Sequence, residues 1–449
     1  MSQTDLEPPG PFDSPLVSPY LTGVYLAVNG ISDVYLVVDG PNCVFFRIPQ
    51  VQANHDWQAD LARSSGLHRI VDTDATPNRA SAGDTTFLTG RLRRVDELPD
   101  CAAILLTAMA SVSITGRQYD ALVGALEPPL EHPVIILPEG SLSGDWLDGY
   151  ERTLEALARE LPLDPRPEHS GSRPRVALVG HLHHRNEDDV LADEAELRRM
   201  VTGLGLELVS LWPDGGPLSG LQRAGGADIV LALPYARRAA ARLAERLGTP
   251  LVEAPLPLGL EATGAMLRNL AAAAGRPEAA ETFVAGELDR LVPRLKWVLA
   301  HEMLGKRVLV AGDPILAPAL RGALVELGCE VPLEAVLKGP FGRAPKESPT
   351  EDKRILRIEA TGRRALAKAA EDVRKNGNLD IAVISSEALE TLWAGGPPIP
   401  FLEVGFPAYY SHAFSPMPIL GYQGVACLVT RLLGEIRHAQ LSRGLLDSP

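Results

Sequence analysis

Residues 33–47 read DVYLVVDGPNCVFFR: an apolar run ends in Asp39, Gly40 and Pro41, and Cys43 follows in the turn. A thiolate is the donor that soft metals such as iron prefer, and a turn beyond a strand end lets the sulfur project outward. In open parallel sheets, ligands bind beyond the carboxyl ends of the strands. The residue type leaves a second role open. Unpaired cysteines often pack as small apolar residues, and spacing alone favours that plainer role for Cys43. Of the other three cysteines, Cys101 starts the run CAAILLT, Cys329 separates a helix from the next strand, and Cys427 lies in an apolar C-terminal helix. All three read as core.

His181, His183 and His184 stand in GHLHHRNEDD, residues 180–189, directly after the run RVALV. Three imidazoles beside carboxylates form a donor set that zinc accepts, though the spacing matches no standard site. Such a loop also lines substrate pockets, and contact with substrate or partner is the better functional reading of the three. His412, in the stretch after GFP, is a further candidate cleft residue. No GxGxxG, GxxxxGK[ST] or GxSxG occurs, and GDPILAPAL (residues 312–320) resembles a dinucleotide turn only loosely. The chain is therefore not itself a P-loop ATPase or a simple α/β hydrolase. In SGDWLDGYE, residues 143–151, helix capping by Ser143 or Asp145 accounts for the acids.

These residues need elements to hold them. Short apolar runs (DVYLVVDG, CAAILLTA, HPVIILPEG, RVALVGH, ADIVLALP, LDIAVISS) alternate with amphipathic helical stretches. That alternation predicts parallel, doubly wound α/β sheets. At 449 residues the chain has room for about three domains. The expected architecture is three Rossmann-like domains: an N-terminal extension at 1–16, a first α/β domain at 17–163 with the Cys43 turn, a linker at 164–174, a second at 175–300, and a third at 301–449 closed by a helix. The Pro- and Gly-rich stretch 338–354 reads as an exposed loop.

The formal net charge is −14, and 45% of residues are hydrophobic. The acidic balance argues against nucleic acid or an anionic membrane as partner. Four scattered cysteines form no disulfide framework, which fits a reducing cytoplasm. The acidic, Pro-rich N-terminus lacks signal-peptide features, and no run is apolar enough to span a membrane.

Together these segments resemble the nitrogenase component 1 family, which includes nitrogenase, dark-operative protochlorophyllide reductase and related cofactor-assembly scaffolds. ISDVYLVVDGPNCVFFR is similar to the family's strand–Gly-Pro–Cys turn, where the first cluster cysteine sits. GDTTFLTGRLRRVDEL, SGDWLDGYERTLEALA, TPLVEAPLPLGLEATGAMLRNLA and LGKRVLVAGDP with ALVELGCEV resemble successive family segments. FLEVGFPAYYSHAFSPMPILGYQGVACLVTRLLGEI, pairing GFP with GYQG, is the most specific match.

The resemblance implies a pair of homologous subunits, in a heterodimer or heterotetramer, with an iron–sulfur cluster at their interface. It also implies a separate P-loop iron protein that delivers electrons at the expense of ATP. Only Cys43, with Gly40 and Pro41 shaping its turn, matches a ligand position. The second cysteine would fall within residues 71–80 and the third at 108–110, and neither stretch holds one. One ligand per chain fits a 4Fe–4S cluster shared with a partner that supplies the rest. His55 and Asp56 follow closely enough to assist, and a plain helix start explains them as well. A reductase subunit is the leading expectation. A non-catalytic scaffold for metal-cofactor assembly, and a structural subunit that has lost its cluster, are the alternatives.

Overall fold

Runs such as VYLVVD and AILLTA are buried along their whole length, as strands covered on both faces must be. The computed structural model describes residues 16–52, 61–62, 68–166, 173–339, 355–360, 362–393 and 399–446. His55, Asp56, residues 1–15, most of the 338–354 stretch and the middle of the 164–174 stretch lie outside them.

Three parallel sheets form. The first contains β1 (Val34–Asp39), β2 (Ile70–Asp72), β3 (Ala103–Ala108) and β4 (Val134–Ile136) in the order β2-β1-β3-β4. The second contains β5 (Arg175–Val179), β6 (Glu207–Trp212), β7 (Ile229–Ala232) and β8 (Leu251–Glu253) in the order β6-β5-β7-β8. The third contains β9 (Arg307–Gly312), β10 (Glu330–Leu337), β11 (Leu356–Ala360), β12 (Ile381–Ile384) and β13 (Phe401–Glu403) in the order β11-β10-β9-β12-β13. In each sheet the strand order reverses beside the first strand, which puts the switch points at β1/β3, β5/β7 and β9/β12. Crevices for ligands open at the carboxyl ends of such strand pairs.

By compactness the chain divides into two units. One, Ser18–Val190 with Gly205–Ala254, contains the first and second sheets. The other, Leu191–Leu204 with Pro255–Pro449 and Met1–Val17, contains the third. In the second unit Leu16 is buried in the core of the third sheet, among Leu309, Leu333 and Ile384. Among the described residues, no helix is long and apolar enough to cross a membrane.

Two helices brace the first sheet's unit. The helix Trp146–Glu160 starts at a capping box in which the Asp145 carboxylate accepts from the Leu147 and Asp148 amides. It lies against the helix Tyr20–Asn29, every residue of which is buried. The contact is backbone on backbone. A Cβ on Gly23 would stand 1.7 Å from the Trp146 carbonyl oxygen, and one on Gly149 would stand 2.0 Å from that of Tyr20. No side chain fits there unless the helices separate. Gly149→Ala is expected to lower stability by about 1–3 kcal/mol or more, as overpacking does. Ala at Gly286, where an added Cβ meets nothing within 4 Å, is expected to do no harm. Urea unfolding of the two variants checks this.

Candidate functional site

β1 delivers Asp39, Gly40 and Pro41 to the carboxyl edge of the first sheet, and residues Asn42–Arg47 form a 3-10 turn there. Val44 is the turn's buried anchor: its amide donates to the Pro41 carbonyl at 3.2 Å, and its own carbonyl accepts the Tyr25 hydroxyl at 3.1 Å. Burial pushes the Tyr25 phenol well up, so it stays a neutral donor. Cys43, next to Val44, is only half-buried. Its Sγ lies 3.7 Å from Sδ of Met109, the first residue beyond β3. Gly40 makes that approach feasible, since a Cβ there would come within 2.6 Å of the Met109 Cγ.

Beneath the turn, Asp39 has no exposed surface. One carboxylate oxygen accepts the Thr73 hydroxyl at 2.6 Å, and the other accepts Arg117 Nη1 and the Tyr119 hydroxyl, each at 2.9 Å. Burial, then the neighbouring Asp39 charge, raises the Tyr119 pKa and keeps that phenol protonated. The Thr73 hydroxyl accepts the Gly40 amide at 3.1 Å, the Ala75 amide donates to the Gly40 carbonyl at 3.2 Å, and the Met109 amide donates to the Asp39 carbonyl at 3.0 Å. The segments following β1, β2 and β3 are thus tied at one carboxylate. Asp74, beyond β2, adopts φ +50°, and its carboxylate pairs with Arg79 at 2.7 Å.

The segments that follow the four strands each carry one exposed large apolar side chain. Phe46 is 79% exposed, Phe87 42%, Ile114 73% and Leu142 61%. They follow β1, β2, β3 and β4 respectively, so each strand of this sheet contributes one.

The predicted histidines go elsewhere. His181, His183 and His184 follow β5 in the second sheet and are all buried. His183 Nε2 lies 2.8 Å from Asn186 Oδ1, and the Tyr150 hydroxyl donates to the His181 carbonyl at 2.7 Å. Burial drives the His184 pKa down to about 4. Nearby, Arg185 pairs with Asp189 and Glu187. His412 lies in the other unit, after β13, where its ring stacks on Phe414 with centroids 5.1 Å apart. That loop is organised by the buried Glu403 carboxylate, which accepts from the Ser386 and Ser411 hydroxyls and from the amides of Tyr409, Tyr410 and Ser411. Cys101 and Cys329 are core residues with thiols pushed up to about 12 by burial, and Cys427 is half-buried.

The sequence shows Asp39 closing the run before the Cys43 turn but not its role there, nor that of Thr73, Arg117, Tyr119 or Met109. The one available signal was an acid closing an otherwise apolar run.

The sequence profile described as Nitrogenase component 1 type Oxidoreductase matches residues 18–437. The chain belongs to that family. It is 24% identical over 408 residues to the nitrogenase molybdenum-iron protein beta chain of Frankia alni, covering 82% of this chain and 73% of the relative. It is 25% identical over 350 residues to the light-independent protochlorophyllide reductase subunit N of Roseiflexus castenholzii, covering 78% and 76%. A solved chain of nitrogenase Cp1 at pH 6.5 shares the fold with a TM-score of 0.71 and 17% identity, covering 97% of this chain and 94% of that one.

The family implies an iron–sulfur cluster, and the residues present fit one corner of it. Among the described residues, no group of three or more His, Cys, Asp and Glu side chains is placed to hold a metal. The resemblance aligns Cys43 with the family's first cluster cysteine, and the stretches it gives to the second and third, residues 71–80 and 108–110, hold no cysteine.

Two outcomes follow. Arg117→Ala leaves the Asp39 charge buried without its cation and should cost about 3–5 kcal/mol. Tyr119→Phe, which removes one hydrogen bond, should cost about 1–3 kcal/mol. Chemical unfolding separates the two. His184 is neutral when folded down to about pH 4, whereas the unfolded chain takes up its proton near pH 6.5. Its contribution to stability is therefore intact above about pH 6.5 and is lost progressively as the pH falls to about 4. Urea midpoints at pH 7 and pH 4.5 should differ less in His184→Gln than in the wild type.

Proposed function

We propose that this chain is one subunit of a nitrogenase-like reductase, in which Cys43 gives a single thiolate to an iron–sulfur cluster shared with a homologous subunit. The observation that carries the reading is the carboxyl edge of the first sheet. A half-buried thiol stands in the turn beyond β1, at the sheet's switch point, and Phe46 of the same turn is exposed. A 4Fe–4S cluster takes four ligands, so a chain with one thiolate at this edge needs a partner that brings the remainder.

When bound, such a cluster supplies one-electron storage between an ATP-dependent iron protein and substrate. The chain's own residues do the holding. Val44 and Tyr25 fix the turn, and Asp39 and its partners fix the flanking segments. The division into domains at 17–163, 175–300 and 301–449, a cytoplasmic location and a heterodimeric or heterotetrameric assembly belong to the same reading.

The second reading, a scaffold or structural subunit without its own cluster, is favoured by one specific observation: no cysteine stands in residues 71–80 or 108–110, where the resemblance gives the second and third cluster cysteines. Anaerobic co-expression with a homologous subunit from the same source decides between them. About four irons per pair and a paramagnetic signal on reduction, both lost in Cys43→Ala, are expected. A pair whose iron is unchanged in Cys43→Ala, or that contains none, gives the site to the second reading.

A further inference from the structure

Cys43 and Met109 lie beyond β1 and β3, the two strands that flank the first sheet's switch point. That crevice is where an open α/β sheet binds ligands. Here the structure brings two sulfurs 66 residues apart in the chain to a separation of 3.7 Å, with the Cys43 thiol donating to the Met109 thioether. The same separation suits one shared ion in place of that proton. Two sulfurs each about 2.3 Å from one tetrahedral ion stand about 3.8 Å apart. Sulfurs that hold separate irons of a cluster must lie much farther apart, so Met109 as placed does not replace the missing third cysteine.

The thioether is also held in place. Its side chain packs across Gly40, where any Cβ would come 2.9 Å from Sδ, and its amide is tied to the Asp39 carbonyl at 3.0 Å. A thiolate and a thioether together select soft ions of the cuprous class. We infer that Cys43 and Met109 form a two-sulfur chelate for one soft metal ion, with the thiol proton lost on binding and the remaining coordination positions open toward the exposed edge. The inference goes beyond the cluster reading and concerns this chain without its partner; in the pair the same thiolate is committed to iron, so the two states exclude one another.

The test is an anaerobic titration of the full chain with cuprous ion against a chromogenic cuprous chelator. One ion per chain is expected. Affinity should fall at least tenfold in Met109→Leu, which keeps the volume and removes the donor, and at least as far in Cys43→Ser. Met109→Cys, which restores a soft donor, should recover binding. Equal affinity in Met109→Leu and wild type overturns the inference, as does a Met109→Cys chain that binds no better than Met109→Leu. The co-expressed pair separates the two readings. Iron lost in Cys43→Ala, together with cuprous binding indifferent to Met109, leaves the cluster and removes the chelate. A pair without iron, whose subunit still needs both sulfurs for cuprous ion, does the reverse.

Discussion

A carboxylate with no access to water closes the central strand of the first sheet, and the geometry around Cys43 hangs on it. A buried charge is tolerated only when its lone pairs are filled. Asp39 meets that demand with Thr73, Arg117 and Tyr119, which belong to segments after β2 and β3. The electrostatic requirement of one residue therefore fixes where three separate pieces of chain stand. The turn that carries Cys43 begins at the next residue and inherits that fixity.

The sheet system was legible because parallel strands buried on both faces leave a plain mark, a run of apolar residues between turns. VYLVVD, AILLTA, RVALV and IAVI all became strands, and Asp145 became the cap it was read as. The position of Cys43 beyond β1 was legible for the same reason. Its surroundings were not, because they are assembled across distance: Arg117 lies 78 residues from Asp39, and Met109 66 from Cys43. No local pattern encodes such a meeting. The histidine loop read as one that contacts substrate or partner; in the structure its three imidazoles are buried, with Tyr150, Asn186 and neighbouring ion pairs packed about them.

Glu403 shows the local counterpart of Asp39. It too is a buried acid at a strand end, but most of its donors come from residues 409–411, a few positions on. A loop built that way is rigid on its own account.

The paired glycines of the first unit carry a consequence for how the chain comes into being. The helix Tyr20–Asn29 is buried throughout and mostly apolar, and its seat is the backbone of Trp146–Glu160, more than a hundred residues later. On a ribosome adding about 5–20 residues per second, that seat emerges only after about ten seconds. For that interval the nascent polypeptide carries this segment without the surface that buries it in the folded chain.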